Sequence, residues 1–166
     1  IVSDMQDEDV LFRSIQGIAF VSVTPLIAIT ASLWFTPDKI AYSLAHLAQI
    51  YFSVLLFFLF GNVWSFRSFD NYRLKRDLTL VAFILFFSAI FGALLTIFIN
   101  PIYGISYLLL STYLTRHIRL INSVISLFDE SYKDLFNKIS IILCICLMLI
   151  FTYWMNPYTY PIEIYN

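Results

Sequence analysis

The feature that most constrains this chain is a set of five apolar runs, bounded by charged residues or proline, that together fill most of its length. A hydrocarbon core about 30 Å thick takes about 20 helical residues to cross. The runs cover residues 14–35, 40–64, 77–99, 102–117 and 139–155. Pro25 near the middle of the first predicts a bend, and Thr36-Pro37-Asp38-Lys39 reads as a turn. The third run closes at Asn100-Pro101, where proline cannot continue the hydrogen-bond ladder and restrains its predecessor. The fourth is several residues short of a full span, and the fifth ends at Asn156-Pro157. Only 13% of the residues are charged and 60% are hydrophobic, against about 25% charged in a soluble domain. A chain so poor in charge cannot clothe a water-facing surface. The expectation is an all-α integral membrane bundle of five transmembrane helices, one transmembrane domain over residues 1–166 with no room for a soluble one.

The cationic residues support five crossings. Threaded that way, the amino terminus, the 65–76 loop and the 118–138 segment share one side. That side holds Arg13, Arg67, Arg73, Lys75, Arg76, Arg116, Arg119, Lys133 and Lys138, and the other holds Lys39 alone. Lys and Arg cross membranes reluctantly, so this segregation is a topology signal. It places the basic loops and the amino terminus in a mitochondrial matrix, or in the cytoplasm for a bacterial plasma membrane. The acidic start (Asp4, Asp7, Glu8, Asp9) has little bearing on orientation. The net charge of −1 offers no footprint for nucleic acid.

Within residues 119–138, Leu120, Val124, Leu127, Phe128 and Leu135 recur at helical spacing. This predicts an amphipathic helix on the basic-side surface, or a prolongation of the fourth span. Tyr153, Trp154, Tyr158, Tyr160 and Tyr165 gather where the fifth span ends, and Trp34 and Trp64 where the first and second end. Such rings read as interfacial anchors, bodies in lipid and polar tips among headgroups. Cys144 and Cys146 point about 200° apart on a helix and read as small hydrophobes. A first residue of Ile rather than Met marks the chain as processed or incomplete at its start.

The most informative polar feature is in the second span. Tyr42, His46, Gln49 and Ser53 are spaced four, three and four, on one helix face. Polar groups in lipid face other helices or a water-filled cavity. Interhelical hydrogen bonding is the first reading of this face, and a quinone, proton or haem site the second. Haem ligation by the two histidines fails on depth: His46 lies about 9 Å from the acidic side at 1.5 Å per residue, and His117 at the opposite end of the fourth span. In the third span Ser88, Gly92 and Thr96, at intervals of four, suit close helix approach. Arg73, Lys75, Arg76, Arg116 and Arg119 are candidate contacts for anionic headgroups such as cardiolipin. No span carries a central Asp, Glu, Lys or Arg, and no hydrolase, metalloprotease, phosphate-loop or dinucleotide motif occurs. No catalytic, cofactor or metal residue is assigned.

Gly17 followed by Pro25-Leu26, and then Tyr51-Phe-Ser-Val-Leu-Leu-Phe-Phe-Leu-Phe-Gly61-Asn-Val-Trp64, resemble the transmembrane protein 69-like family of small multi-span proteins. That family occurs in alphaproteobacteria and mitochondria. Its pattern places a Gly-Gly pair three residues ahead of the tryptophan; Gly61 and Trp64 match, whereas Phe60 replaces the first glycine. Val63 stands where the family commonly has a basic residue or histidine. Tyr132-Lys-Asp-Leu-Phe-Asn-Lys-Ile139 is similar to its entry into the last span. The resemblance implies an inner mitochondrial or bacterial plasma membrane and no established activity. The resulting expectation is a non-catalytic subunit of a larger inner-membrane assembly, such as a respiratory-chain complex or ATP synthase, with other membrane subunits and lipids as partners. The alternatives are a small carrier or assembly factor, or a quinone- or haem-binding anchor.

Overall fold

A computed structural model describes residues 2–65, 72–117 and 130–156, and their regular structure is entirely helical. Helix α1 covers Val2–Ser32, α2 Asp38–Ser65, α3 Tyr72–Leu94, α4 Pro101–His117 and α5 Glu130–Trp154, with a π-helical turn at Leu95–Ile99 prolonging α3.

The two tight connections follow from their sequences. At the end of α1 the Ser32 carbonyl accepts the N–H groups of Phe35 and Thr36, each at 3.1 Å, and the Thr36 hydroxyl at 3.0 Å. Pro37 then opens α2, its carbonyl accepting from Ile40 and Ala41, with Asp38 in the first turn, where a carboxylate complements the helix dipole. At the other connection Asn100 is extended (φ −164°, ψ 135°) and its N–H closes the π turn on the Leu95 carbonyl at 3.0 Å. Its side-chain oxygen accepts the Ile102 N–H at 2.9 Å. Asn100 thus caps α4 with Pro101 in the first position, where a missing N–H costs nothing. Helix α1 runs unbroken through Pro25. Near that gap in the ladder the Tyr51 hydroxyl donates to the Ser22 carbonyl at 2.6 Å, tying α1 to α2.

The helices form a closed ring in chain order: α1 packs on α2, α2 on α3, α3 on α4, α4 on α5 and α5 on α1, with α2 also touching α4. Small residues make this density possible. Ala41, Ala45 and Ala48 are buried on α2 beside Phe52, against a core that includes Leu26, Ile105, Leu108, Leu147 and Ile150. A Cβ on Gly92 would lie 2.8 Å from Leu108 Cγ, and one on Gly104 2.9 Å from the Thr96 N and Cα. At Gly104 the opposing atoms are backbone and cannot yield, whereas at Gly92 the Leu108 side chain would have to move.

Outward the bundle is greasy. Leu80, Ile84, Phe87 and Phe91 on α3, Ile145 and Met148 on α5, and Ile18 and Val21 on α1 are all exposed. Three stretches are long and apolar enough to cross a membrane: Asp38–Leu56, Thr79–Ile99 and Lys133–Trp154. They mark a membrane-embedded protein. The apolar part of α1, Gln16–Ser32, is shorter, and α4 is about 26 Å long at 1.5 Å per residue.

Two expectations are corrected. The last helix begins at Glu130 rather than 139, so residues 130–138 are the first turns of the final helix and not a separate surface helix. Leu135 and Ile139 are buried, while Asp134 and Lys138 pair at 2.6 Å on the exposed side. Residues 119–129 lie outside the described residues. Likewise Tyr153 and Trp154 are not interfacial anchors: they are 3% and 1% exposed, packed among the helices. Exposed rings at this end of the molecule are Trp34 and Phe35 at the α1–α2 turn and Phe98 and Tyr103 beside the α3–α4 turn. The Trp64 side chain and Tyr158, Tyr160 and Tyr165 fall outside the described residues.

Candidate functional site

The face of α2 singled out by its spacing is where four elements meet. Gln49 and Thr96 are fully buried, and Ser53 is nearly so. The Thr96 hydroxyl has one proton, donated to the Gly92 carbonyl at 2.9 Å, so toward Gln49 it can only accept. The indole N–H of Trp154 is a donor and nothing else. Both demands fix the Gln49 amide the same way round. Nε2 donates to Thr96 Oγ1 at 3.0 Å and to the Pro101 carbonyl at 3.2 Å, and Oε1 accepts from Trp154 Nε1 at 2.6 Å. One side chain on α2 thereby joins the π turn of α3, the first turn of α4 and the last turn of α5. In a low-dielectric interior such a network is worth more than isolated bonds in water, provided every member is satisfied.

Tyr42 and His46 continue the face outward as an aromatic collar on the same tryptophan. The Trp154 ring meets Tyr42 edge-on at 5.5 Å and His46 edge-on at 5.2 Å, and the Tyr42 and His46 rings are 4.7 Å apart. His46 Nδ1 lies 3.3 Å from the Tyr42 carbonyl. Ser53 closes the inner end, its hydroxyl donating to the Gln49 carbonyl at 3.2 Å. Tyr42, His46 and Gln49 thus meet on Trp154, whereas Ser53 faces α3 beside Ala89 and Ala93. Among the described residues, Tyr153 Oη is the one fully buried side-chain polar atom without a hydrogen-bond partner.

Among the described residues no three His, Cys, Asp or Glu side chains cluster as metal ligands. The His117 ring meets Tyr113 at a tilt of 50° with centroids 4.6 Å apart, about 24 Å along α4 from Pro101 at 1.5 Å per residue, so the two histidines cannot flank one haem iron. Cys144 is half-buried and Cys146 buried, and neither is in a disulfide.

Of the headgroup candidates, Arg76 is exposed with its Nε 3.5 Å from Asp77 Oδ1. The side chains of Arg73, Lys75 and Arg116, and the whole of Arg119, lie outside the described residues. What sequence reasoning missed is the set of partners. Thr96 was visible only as a small residue, Trp154 only as an anchor, and Gly104 not at all. A lone glutamine in a span is itself a signal, since its amide must find donors and acceptors on other helices.

The ring of helices and its central amide define a class, a small all-helical membrane-embedded bundle closed around an internal hydrogen-bond node. No protein-family model, curated protein or solved structure matches the chain.

Proposed function

We propose that this protein is a non-catalytic structural subunit of a larger inner-membrane assembly, threaded five times through the bilayer with its basic loops and amino terminus on one side. The observation that carries this reading is the saturation of the Gln49 amide. Its two N–H groups and its oxygen are engaged by Thr96, Pro101 and Trp154. The most polar group of the described core thus serves helix packing. The segregation of nine cationic residues from Lys39 supports five crossings, and the antiparallel pairing of α3 with α4 through Gly92–Leu108 and Thr96–Gly104 is compatible with them. The shorter α1 and α4 are accommodated by packing against longer neighbours and by local thinning of the bilayer. A mitochondrial inner membrane, with the basic side in the matrix, fits this orientation; a bacterial plasma membrane fits it equally. Phospholipids occupy the outer faces, and a bundle whose described residues lie almost wholly in helices acts by contact.

Blue-native electrophoresis of membranes solubilised in a mild detergent tests the reading. The chain is expected in a band many times its 19.4 kDa mass that holds other membrane proteins by mass spectrometry. Migration as a single chain, or as a pair of identical chains and nothing else, would overturn the assembly.

A further inference from the structure

At one end of the bundle α2 outreaches its neighbour α3. The Gln49 amide is bonded to the Pro101 carbonyl, which sets the α3–α4 turn beside Gln49, about 16 Å along α2 from Asp38 at 1.5 Å per residue. The apolar stretch Thr79–Ile99 ends at that turn, and its length of about 30 Å matches the hydrocarbon core of a bilayer. The first turns of α2 therefore stand at the level of the lipid headgroups. There the side of α2 that α3 covers further down is left open.

On that side Val54, Leu47, Ser43 and Lys39 are exposed and Ile50 is half-buried. These residues lie within about 80° of one another around the helix axis. Followed outward, the stripe is apolar, then hydroxyl, then cationic. At its inner end Ile50 and Val54, with Ser53, Ala89, Ile90 and Ala93, line an apolar groove of about 210 Å³ between α2 and α3. At its outer end Lys39 makes no ion pair among the described residues, and Asp38, next to it in sequence, is turned about 100° away. The Ser43 hydroxyl donates to the Lys39 carbonyl at 3.4 Å, long for an O–H···O bond and readily given up for a better acceptor.

We propose that the α2–α3 seam binds one phospholipid, its phosphate on the Lys39 ammonium, an ester at Ser43 and an acyl chain in the groove. The order of polarity selects this occupant. A phospholipid presents anion, ester and hydrocarbon in the same succession and at the same depths. The lysine stem can lie along apolar surface while its ammonium reaches the phosphate. A partner helix lying on the seam would offer an apolar ridge and leave Lys39 without a counter-charge. Such a site needs only that α2 and α3 cross the membrane. It stands or falls apart from the larger assembly, because its test uses the purified chain alone.

The full-length chain is reconstituted in phosphatidylcholine vesicles with a trace of phosphatidylglycerol that carries a diazirine midway along one acyl chain. Sites of photolabelling are then mapped by mass spectrometry. Label at Ile50, Val54, Ile90 and Ala93 is expected to exceed that at Met148, exposed on α5, several-fold. Lys39→Glu changes an exposed residue and should leave helix content as it is. It is expected to lower the groove label about fivefold or more, the worth of one cation at a headgroup surface, with the label at Met148 unchanged. Lys39→Arg is expected to preserve the label. Ala93→Phe fills the groove, keeps Lys39 and is expected to lower the label at Ile50 and Val54. Even labelling of the outer faces, an unlabelled groove, or a groove label indifferent to Lys39→Glu overturns the proposal. A label at Ile50 and Val54 indifferent to Ala93→Phe overturns the placement of the acyl chain.

Discussion

Gln49 and Ser88 are both polar residues in the middle of apolar helices, and the bundle treats them oppositely. Around Gln49 three other elements converge, and its amide makes three hydrogen bonds inside the fold. Around Ser88 a groove is left open, and its hydroxyl makes no bond to any described residue. Burial differs little, 0% exposure against 8%, so depth does not explain the contrast. Partnership does. Where solvent offers no hydrogen bonds, a satisfied polar group fixes the packing of its own chain. The Ser88 hydroxyl is not a fully buried atom; it opens onto the groove lined by Ile84, Phe87 and Phe91.

The comparison is broken most severely by Gln49→Leu. The substitution keeps the volume of the side chain and removes all three bonds, stranding the Trp154 N–H in the core. At about 1–2 kcal/mol for a bond between helices in lipid or a stranded donor, the bundle should lose about 2–4 kcal/mol. This is read from thermal or denaturant unfolding in detergent micelles followed by circular dichroism. A loss below about 1 kcal/mol, the worth of a single bond, would show the network to be ornamental.

The next largest effect belongs to the glycine beneath the node. In Gly104→Ala the new methyl lies 2.9 Å from the backbone N and Cα of Thr96. Backbone cannot rotate away as a side-chain tip can, so α4 must shift from α3, at about 1–3 kcal/mol for overpacking. Gly17→Ala is the control, since a Cβ there meets nothing within 4 Å; it should leave the unfolding midpoint unchanged or raise it slightly. Equal loss at both glycines would deny the close approach.

How much of this was legible in the sequence depends on whether the signal was local. The Asn100-Pro101 turn, the Thr36–Lys39 connection and the face joining Tyr42, His46, Gln49 and Ser53 could be read directly, because capping chemistry and helical spacing involve only near neighbours. Residues 130–138 read as part of a separate amphipathic helix, or of the fourth span, because one-sided charge fits a surface helix as well as it fits the first turns of a span that rises out of the lipid. Trp154 was misread for a related reason. A tryptophan at the end of a span is ordinarily an anchor, and only the arrangement of α2 around it reveals Gln49 as its acceptor. Gly104 gave no signal, because a lone glycine in a helix acquires meaning only from the backbone opposite. Thr96 was recognised as small, and its hydroxyl went unused in the reading.

Trp154→Phe separates the indole's two contributions and is the mildest of these changes. The phenyl ring keeps the edge-on contacts with Tyr42 and His46 but cannot donate to Gln49 Oε1. The expected loss is about 1 kcal/mol, one hydrogen bond with its acceptor left buried. In the double variant with Gln49→Leu the orphaned acceptor no longer exists, so the second substitution should cost almost nothing further. The coupling between the two positions should therefore be about 1 kcal/mol, within the range for residues sharing a network. Strict additivity would mean that Trp154 stabilises this end of the bundle through its ring alone. In that case the amide on α2 would hold only the α3–α4 turn, and the last helix would be kept in the ring by apolar packing rather than by the node.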